Sequence, residues 1–299
     1  MKPAPFEYLA PESVAEAVAA LSEYGFDAKL LAGGQSLVPV MAMRLSRFDY
    51  LIDLNRTAGL DFIEVAAGTD GGTADNVVIG AMTREARVGS DPTIARAVPL
   101  LHEATKLIGH FQIRNRGTLG GSIAHADPAA EYPAVALALD ASMNITGPGG
   151  TRTVPAADFF FGPMMNSLEE DELLESVNFP VWGDDSRWSI REFARRAGDF
   201  ATAGVATGVQ LSAGDPDIAV IEKVAIAFFG MGSVPTRPRE LETSLIGRRV
   251  SELDLAEIGR QAVEDLEPPS DIHASSAFRL RVGADLVRQT LVNCLEPQS

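Results

Sequence analysis

Lys29-Leu30-Leu31-Ala32-Gly33-Gly34-Gln35-Ser36-Leu37 carries an apolar run into a glycine pair and out into a helical pattern. Lys29 to Ala32 reads as a buried strand, and Ser36 to Leu45 as a helix that Pro39 enters in its first turn. A strand, a glycine turn and a helix start in that order bring bare backbone N–H groups and the favourable end of the helix dipole to one point, a setting that suits an anion. Gln35 and Ser36 add side-chain donors there. A second pair, Gly120-Gly121 in Gly117-Thr118-Leu119-Gly120-Gly121-Ser122-Ile123, stands in similar surroundings. One Gly-Gly pair is more often a turn than a ligand loop. Two of them, each where an apolar run gives way to small polar residues, suggest a pyrophosphate. On this reading a side chain at Gly33 or Gly120 would take the space a phosphate needs. Neither loop has the spacing G-x-G-x-x-G or ends in Gly-Lys-Ser/Thr, so the two common nucleotide loops are excluded.

Working outward, Ser13-Val14-Ala15-Glu16 reads as a capping box ahead of an apolar face at Val14, Ala17, Val18 and Leu21, and Gly25 stops that helix. Tyr50 to Leu54 is another short strand. Leu60 to Ala66 and Val77 to Gly80 flank the turn-rich Gly68-Thr69-Asp70-Gly71-Gly72-Thr73, which predicts a hairpin. Helical patterns run from Thr83 to Gly109 and from Tyr132 to Leu139. These patterns predict two α/β lobes, about 1–57 and 58–180. The chain changes character near Phe179-Pro180-Val181-Trp182-Gly183. Beyond it, Trp188 to Ala194, Ala203 to Leu211 and Val220 to Phe229 read as a strand meander, followed by about three helices. The last helix places Leu280, Ala284, Val287, Leu291 and Leu295 on one face. The fold class expected is α+β, with a two-lobed domain over 1–180 and a smaller domain over 181–299. No internal repeat is evident.

With 25 basic against 41 acidic side chains, the net charge of −16 opposes nucleic acid as a partner. The lone cysteine, Cys294, excludes an internal disulfide and any iron–sulfur cluster held by this chain's own thiolates, since such clusters take about four ligands. Any electron-transfer chemistry here calls for an organic cofactor. The start of the chain lacks an apolar signal core, and no stretch approaches the roughly 18 apolar residues of a membrane span, so a cytoplasmic protein is expected. His110 and His125 flank the second loop with no cysteine or carboxylate at metal spacing, which favours a hydrogen-bonding or structural role; no metal site is expected. Ser36 and Ser122 lack the Gly-x-Ser-x-Gly setting of a nucleophile. No catalytic residue is assigned.

Three stretches carry a resemblance. Ala32-Gly33-Gly34-Gln35-Ser36-Leu37, then Arg114-Asn115-Arg116-Gly117-Thr118-Leu119-Gly120-Gly121-Ser122-Ile123-Ala124-His125-Ala126-Asp127-Pro128, then Arg191-Glu192-Phe193-Ala194-Arg195-Arg196-Ala197-Gly198-Asp199-Phe200-Ala201 resemble, in that order, the FAD-binding medium subunit of the molybdenum hydroxylases. That group includes carbon monoxide dehydrogenase, xanthine dehydrogenase and the bacterial dehydrogenases of N-heterocycles.

The resemblance covers nearly the whole chain and implies a PCMH/VAO-like FAD-binding domain followed by a three-stranded antiparallel sheet with a helical bundle. It implies that Ala32, Gly33, Gly34, Gln35, Ser36 and Leu37 wrap the FAD pyrophosphate, and that Thr118, Gly120, Gly121 and Ser122 form the second phosphate and flavin loop, with His110 close by. Glu131 stands where relatives often carry an acid, more usually Asp, that binds cofactor hydroxyls. Arg191 stands where they carry a base, more usually Lys, near the flavin ring. Phe111 replaces a common proline and either lines the flavin or fills core; Arg114 and Arg116 either offset diphosphate charge or lie in solvent. The molybdenum cofactor and two [2Fe–2S] clusters are implied on a large and a small partner subunit, in a dimer of heterotrimers, with electrons passing through FAD to NAD⁺, a quinone or another acceptor. The lack of further cysteines argues against the branch whose flavin subunit holds a [4Fe–4S] cluster. Two other readings stay open at this point, a free-standing FAD-dependent oxidoreductase and a non-catalytic scaffold.

Overall fold

The computed structural model describes residues 2–67, 74–212 and 218–296. Its first lobe runs β1 (Glu7–Leu9), α1 (Val14–Tyr24), β2 (Ala28–Leu31), α2 (Leu37–Ala42) and β3 (Tyr50–Asp53). Ser13 Oγ caps α1 by accepting the Glu16 N–H, and Glu16 in return takes the N–H of Glu12. Ala17, Val18 and Leu21 turn into the core. Each helical crossover returns the chain in the same direction, so the three strands pair in parallel, in the order β1-β3-β2. α2 is shorter than the sequence pattern predicts, because Arg44 takes a left-handed φ of 61° just past its end.

The second lobe contains β4 (Ile63–Ala67), β5 (Ala74–Gly80), α3 (Glu85–Val88), α4 (Pro92–Ala97), α5 (Pro99–Leu107), α6 (Phe111–Arg114), α7 (Leu119–His125) and α8 (Glu131–Ala138). It continues through β6 (Ser142–Gly147), β7 (Gly150–Pro155), α9 (Ala156–Phe159), β8 (Phe160–Gly162), β9 (Met165–Asn166) and β10 (Leu173–Pro180). β4 and β5 pair antiparallel as expected, while the turn at 68–73 lies outside the described residues. The helical patterns expected between Thr83 and Gly109 form separate helices, with Pro92 and Pro99 each opening one, since proline has no N–H to donate to the turn before it. The antiparallel sheet has the order β4-β5-β10-β6-β7, with β10 at its centre.

The remainder forms a meander of β11 (Ser186–Phe193), β12 (Ala203–Leu211) and β13 (Ile221–Phe229), followed by α10 (Arg239–Leu245), α11 (Leu255–Ala262) and α12 (Ser276–Leu295). The two faces of this sheet differ. Val205, Val209, Ile226 and Phe228 pack under α11 and α12, where Ile258, Val287 and Leu291 are buried. Thr207 and Thr290 join hydroxyls at 2.7 Å across that layer. The opposite face is made of Gly204, Ala206, Gly208, Ala225 and Ala227, and it rests on α8. Every residue of α8 is buried, because the helix is covered by the second lobe on one side and by this sheet on the other. Arg237 pins the joint: it pairs with buried Glu242 at 2.9 Å and donates to the carbonyls of Leu137 and Ala138 at the end of α8.

Candidate cofactor site

The first glycine loop leaves the end of β2 and is shaped from within by its own residues. Gly34 has a φ of 73°, which favours glycine, and Gln35 Nε2 donates to Gly33 O at 3.1 Å. Among the described residues, no acceptor takes the backbone N–H groups of Gly33, Gly34, Gln35 or Ser36. Four consecutive free donors form a nest for an anion, since bare N–H groups demand partners. Support comes from outside: Asn55 Nδ2 donates to Ala32 O at 3.0 Å, and Asn55 Oδ1 accepts from Arg84, which also reaches Arg116 O. Tyr8 and Asp53 brace Asn55 in turn.

The second loop is built in the opposite way. Its N–H groups at Gly117, Leu119, Gly120, Gly121 and Ser122 go to Ile113 O, Thr83 O, Ala81 O, Thr118 Oγ1 and Thr118 O. A Cβ on Gly120 would stand 2.3 Å from the Ala81 Cβ and 2.6 Å from its Cα. A Cβ on Gly33 would meet Arg116 O at 2.3 Å and the Gly117 Cα at 2.7 Å. The chain's own backbone therefore occupies the space at Gly33 and Gly120 that the sequence reading reserved for a phosphate. These glycines let the segments touch each other, and Gly121 likewise faces Ala32.

The third stretch joins from the far side. Gly198, with a φ of 84°, lies over His110, and a Cβ there would come 2.7 Å from its Cε1. His110 precedes α6, whose turn hands the chain to the second loop. Beyond this contact a cleft of about 800 Å³ opens between Asp127–Ala129 and Arg195–Thr202, with Phe200 exposed at its wall and Arg279 buried in it. Ala32 to Leu37, Thr118 to Ser122 and His110 are thus brought together. Glu131 sits at the start of α8, buried, and its carboxyl is pushed up to about 8 by burial, with Glu192 and Glu85 adding like charge.

Arg191 is not brought to the loops. It pairs across β11 with Val205, on the face under α12, and donates to Gln289 Oε1 at 3.2 Å. Its neighbour Glu192 pairs with Gly204 on the α8 face, and burial pushes that carboxyl up to about 7. Asn55, Arg84 and Glu85 adjoin the two loops and were not singled out by sequence reasoning. The segments Asp53-Leu54-Asn55 and Thr83-Arg84-Glu85 lie at or just past strand ends, which is the one signal that points to them. No group of His, Cys, Asp or Glu placed to hold a metal occurs among the described residues.

A strand, a nest of free N–H groups and a second glycine loop packed onto it suit an anionic cofactor, and the comparisons with known proteins give the class: an FAD-binding protein of the molybdopterin dehydrogenase family. Residues 4–182 match the family described as the FAD binding domain in molybdopterin dehydrogenase, and residues 188–293 match the CO dehydrogenase flavoprotein C-terminal domain. The chain belongs to this family of oxidoreductase subunits. It is 39% identical to the 6-hydroxypseudooxynicotine dehydrogenase complex subunit alpha of Paenarthrobacter nicotinovorans, over 99% of this chain and 96% of that one. It is 37% identical to the carbon monoxide dehydrogenase medium chain of Hydrogenophaga pseudoflava, over 97% of each. Among solved structures, carbon monoxide dehydrogenase from Hydrogenophaga pseudoflava matches with a TM-score of 0.91 at 37% identity over 98% of both chains. Quinoline 2-oxidoreductase from Pseudomonas putida 86 matches at 0.89 and 34% identity, over 99% of this chain and 98% of that one.

Proposed function

We propose that this chain carries FAD between [2Fe–2S] clusters on a small partner subunit and an external electron acceptor, in a complex whose large subunit holds the molybdenum cofactor and oxidises the substrate. The observation that carries the reading is the run of four free N–H groups at Gly33 to Ser36, braced against the second loop. These groups and the Leu37 turn hold the pyrophosphate; Thr118, Gly120, Gly121 and Ser122 line the second loop; His110 and Glu131 bound the site beside it. The unpartnered, buried Oε2 of Glu192 is an acceptor of the kind that cofactor hydroxyls satisfy. When bound, FAD supplies the exchange between single-electron and two-electron chemistry.

Assignment of the clusters to a partner follows from the thiol inventory. Cys294 is buried against Thr207 O, and burial pushes its thiol up to about 12, so it offers no thiolate at neutral pH. A single thiol also suits a reducing compartment, and we place the complex in the cytoplasm, as a dimer of heterotrimers. Among the described residues no helix is long and apolar enough to cross a membrane.

The test is direct. The full-length chain, purified and stripped of flavin, is titrated with FAD and followed by flavin absorbance and fluorescence. Saturable binding, together with co-purification of a cysteine-rich small chain and a large molybdopterin chain on co-expression, is the expected result. A chain with no affinity for FAD overturns the reading.

A further inference from the structure

Glu85 opens α3 directly beside the second loop. Its N–H bonds Gly117 O at 3.0 Å, and its side chain lies against the same residue, where a Cβ on Gly117 would stand 2.5 Å from the carboxyl. Gly33 of the first loop also rests on the Gly117 Cα. One residue's backbone therefore touches both the carboxyl of Glu85 and the loop with four free N–H groups. Glu85 is only 5% exposed, and its Oε2 has no hydrogen-bond partner among the described residues.

The groups around it do not neutralise it. Arg114 attracts it from α6 without a hydrogen bond to it, the Arg114 Nη1 donating instead to Ile108 O at 2.7 Å and Gly109 O at 3.1 Å. Tyr132 and Glu131 lie toward it on α8, the Tyr132 hydroxyl being tied to Thr105 Oγ1 at 2.8 Å. α5 meets α3 through the uncharged Thr105 at Gly89. Burial pushes the Glu85 carboxyl up to about 7, with Arg114 pulling in the other direction. Ionised, it would place a negative charge one backbone away from the bound diphosphate, in a dry setting where like charges repel strongly. Neutral, it leaves the diphosphate unopposed and can donate its proton in a hydrogen bond.

We infer that Glu85 is a further positioning residue for the cofactor, one that favours FAD only while its carboxyl holds a proton. This rests on the flavin reading above. A diphosphate held by the free N–H groups of the Gly33 loop would raise the proton affinity of Glu85 across Gly117, so binding takes up protons above neutrality and affinity falls as pH rises. With the carboxyl pushed up to about 7 by burial in the free chain, and higher still beside a bound diphosphate, FAD affinity is expected to drop about tenfold from pH 6 to pH 8.

The experiment titrates the full-length, flavin-free chain with FAD at pH 6 and pH 8, and measures proton uptake at pH 8 by calorimetry in two buffers of different ionisation enthalpy. The wild type is expected to bind about tenfold more weakly at pH 8 and to take up close to one proton. E85Q is expected to lose most of the fall in affinity between the two pH values and most of that uptake. Equal wild-type affinity at both pH values, or an E85Q chain that retains the fall and the uptake, overturns the inference. The wild-type uptake needs no variant, so poor folding of E85Q does not shelter the idea. Failure of the wild type to bind FAD at either pH sinks the flavin reading itself, and this inference with it.

Discussion

In the first glycine loop four backbone donors are free and the chain is braced through Asn55, whereas in the second the donors at Gly117, Leu119, Gly120, Gly121 and Ser122 are already bonded to the protein. The same dipeptide serves two purposes. At Gly33-Gly34 it leaves backbone N–H groups without an acceptor among the described residues, and at Gly120 it lets α7 seat against Ala81 so that the first loop has something rigid to lean on. A nest of N–H groups binds an anion well only if its shape is fixed beforehand, and the bonded loop supplies that fixity.

The strongest way to break this contrast is Gly120→Val. A side chain that meets Ala81 backbone should cost about 3 kcal/mol of folding stability by overpacking, in the absence of any cofactor. Denaturant unfolding of the flavin-free chain reads it. If G120V unfolds like the wild type but no longer binds FAD, the second loop is a ligand loop and the contrast fails. Gly33→Ala probes the seam itself. Its methyl cannot coexist with Arg116 O, so the loops must part, and FAD affinity should fall about tenfold, or about 1.4 kcal/mol, with a smaller loss of stability than in G120V. Fluorescence titration and unfolding of the same sample separate the two effects. Asn55→Ala is the finest probe: it removes the donor to Ala32 O and the acceptor for Arg84, and should weaken FAD binding by about 1 kcal/mol while unfolding stays near wild type. An unchanged affinity would mean that the first loop needs no outside brace.

The parts legible in sequence were those with a short-range signal. The cap at Ser13, the strand into Gly33, the meander and the apolar face of α12 all follow from local pattern, and the glycine stretches marked the site. β10, the centre of the large sheet, was not read, because a bulge between Leu174 and Ser176 breaks its alternation. β7 was missed because it is a mostly exposed edge with almost no buried residue to mark it. Glu85 was silent for a different reason: a glutamate at a helix start is ordinary in sequence, and only the fold reveals that this one is sealed under Gly117. At Gly34 a φ of 73° calls for glycine, and at Gly120 the space that the sequence reading gave to a phosphate is taken by Ala81.

The burial of α8 bears on how the chain is made. As residues 131–138 leave the ribosome, one side of this helix has its partners in the second lobe, but the other waits for Gly204, Ala206, Ala225 and Ala227, and its last carbonyls wait for Arg237. Until those residues emerge, the nascent cofactor half carries a bare apolar strip of the kind that chaperones bind. A chain that stopped near residue 180 would keep that strip uncovered and the last carbonyls of α8 without Arg237.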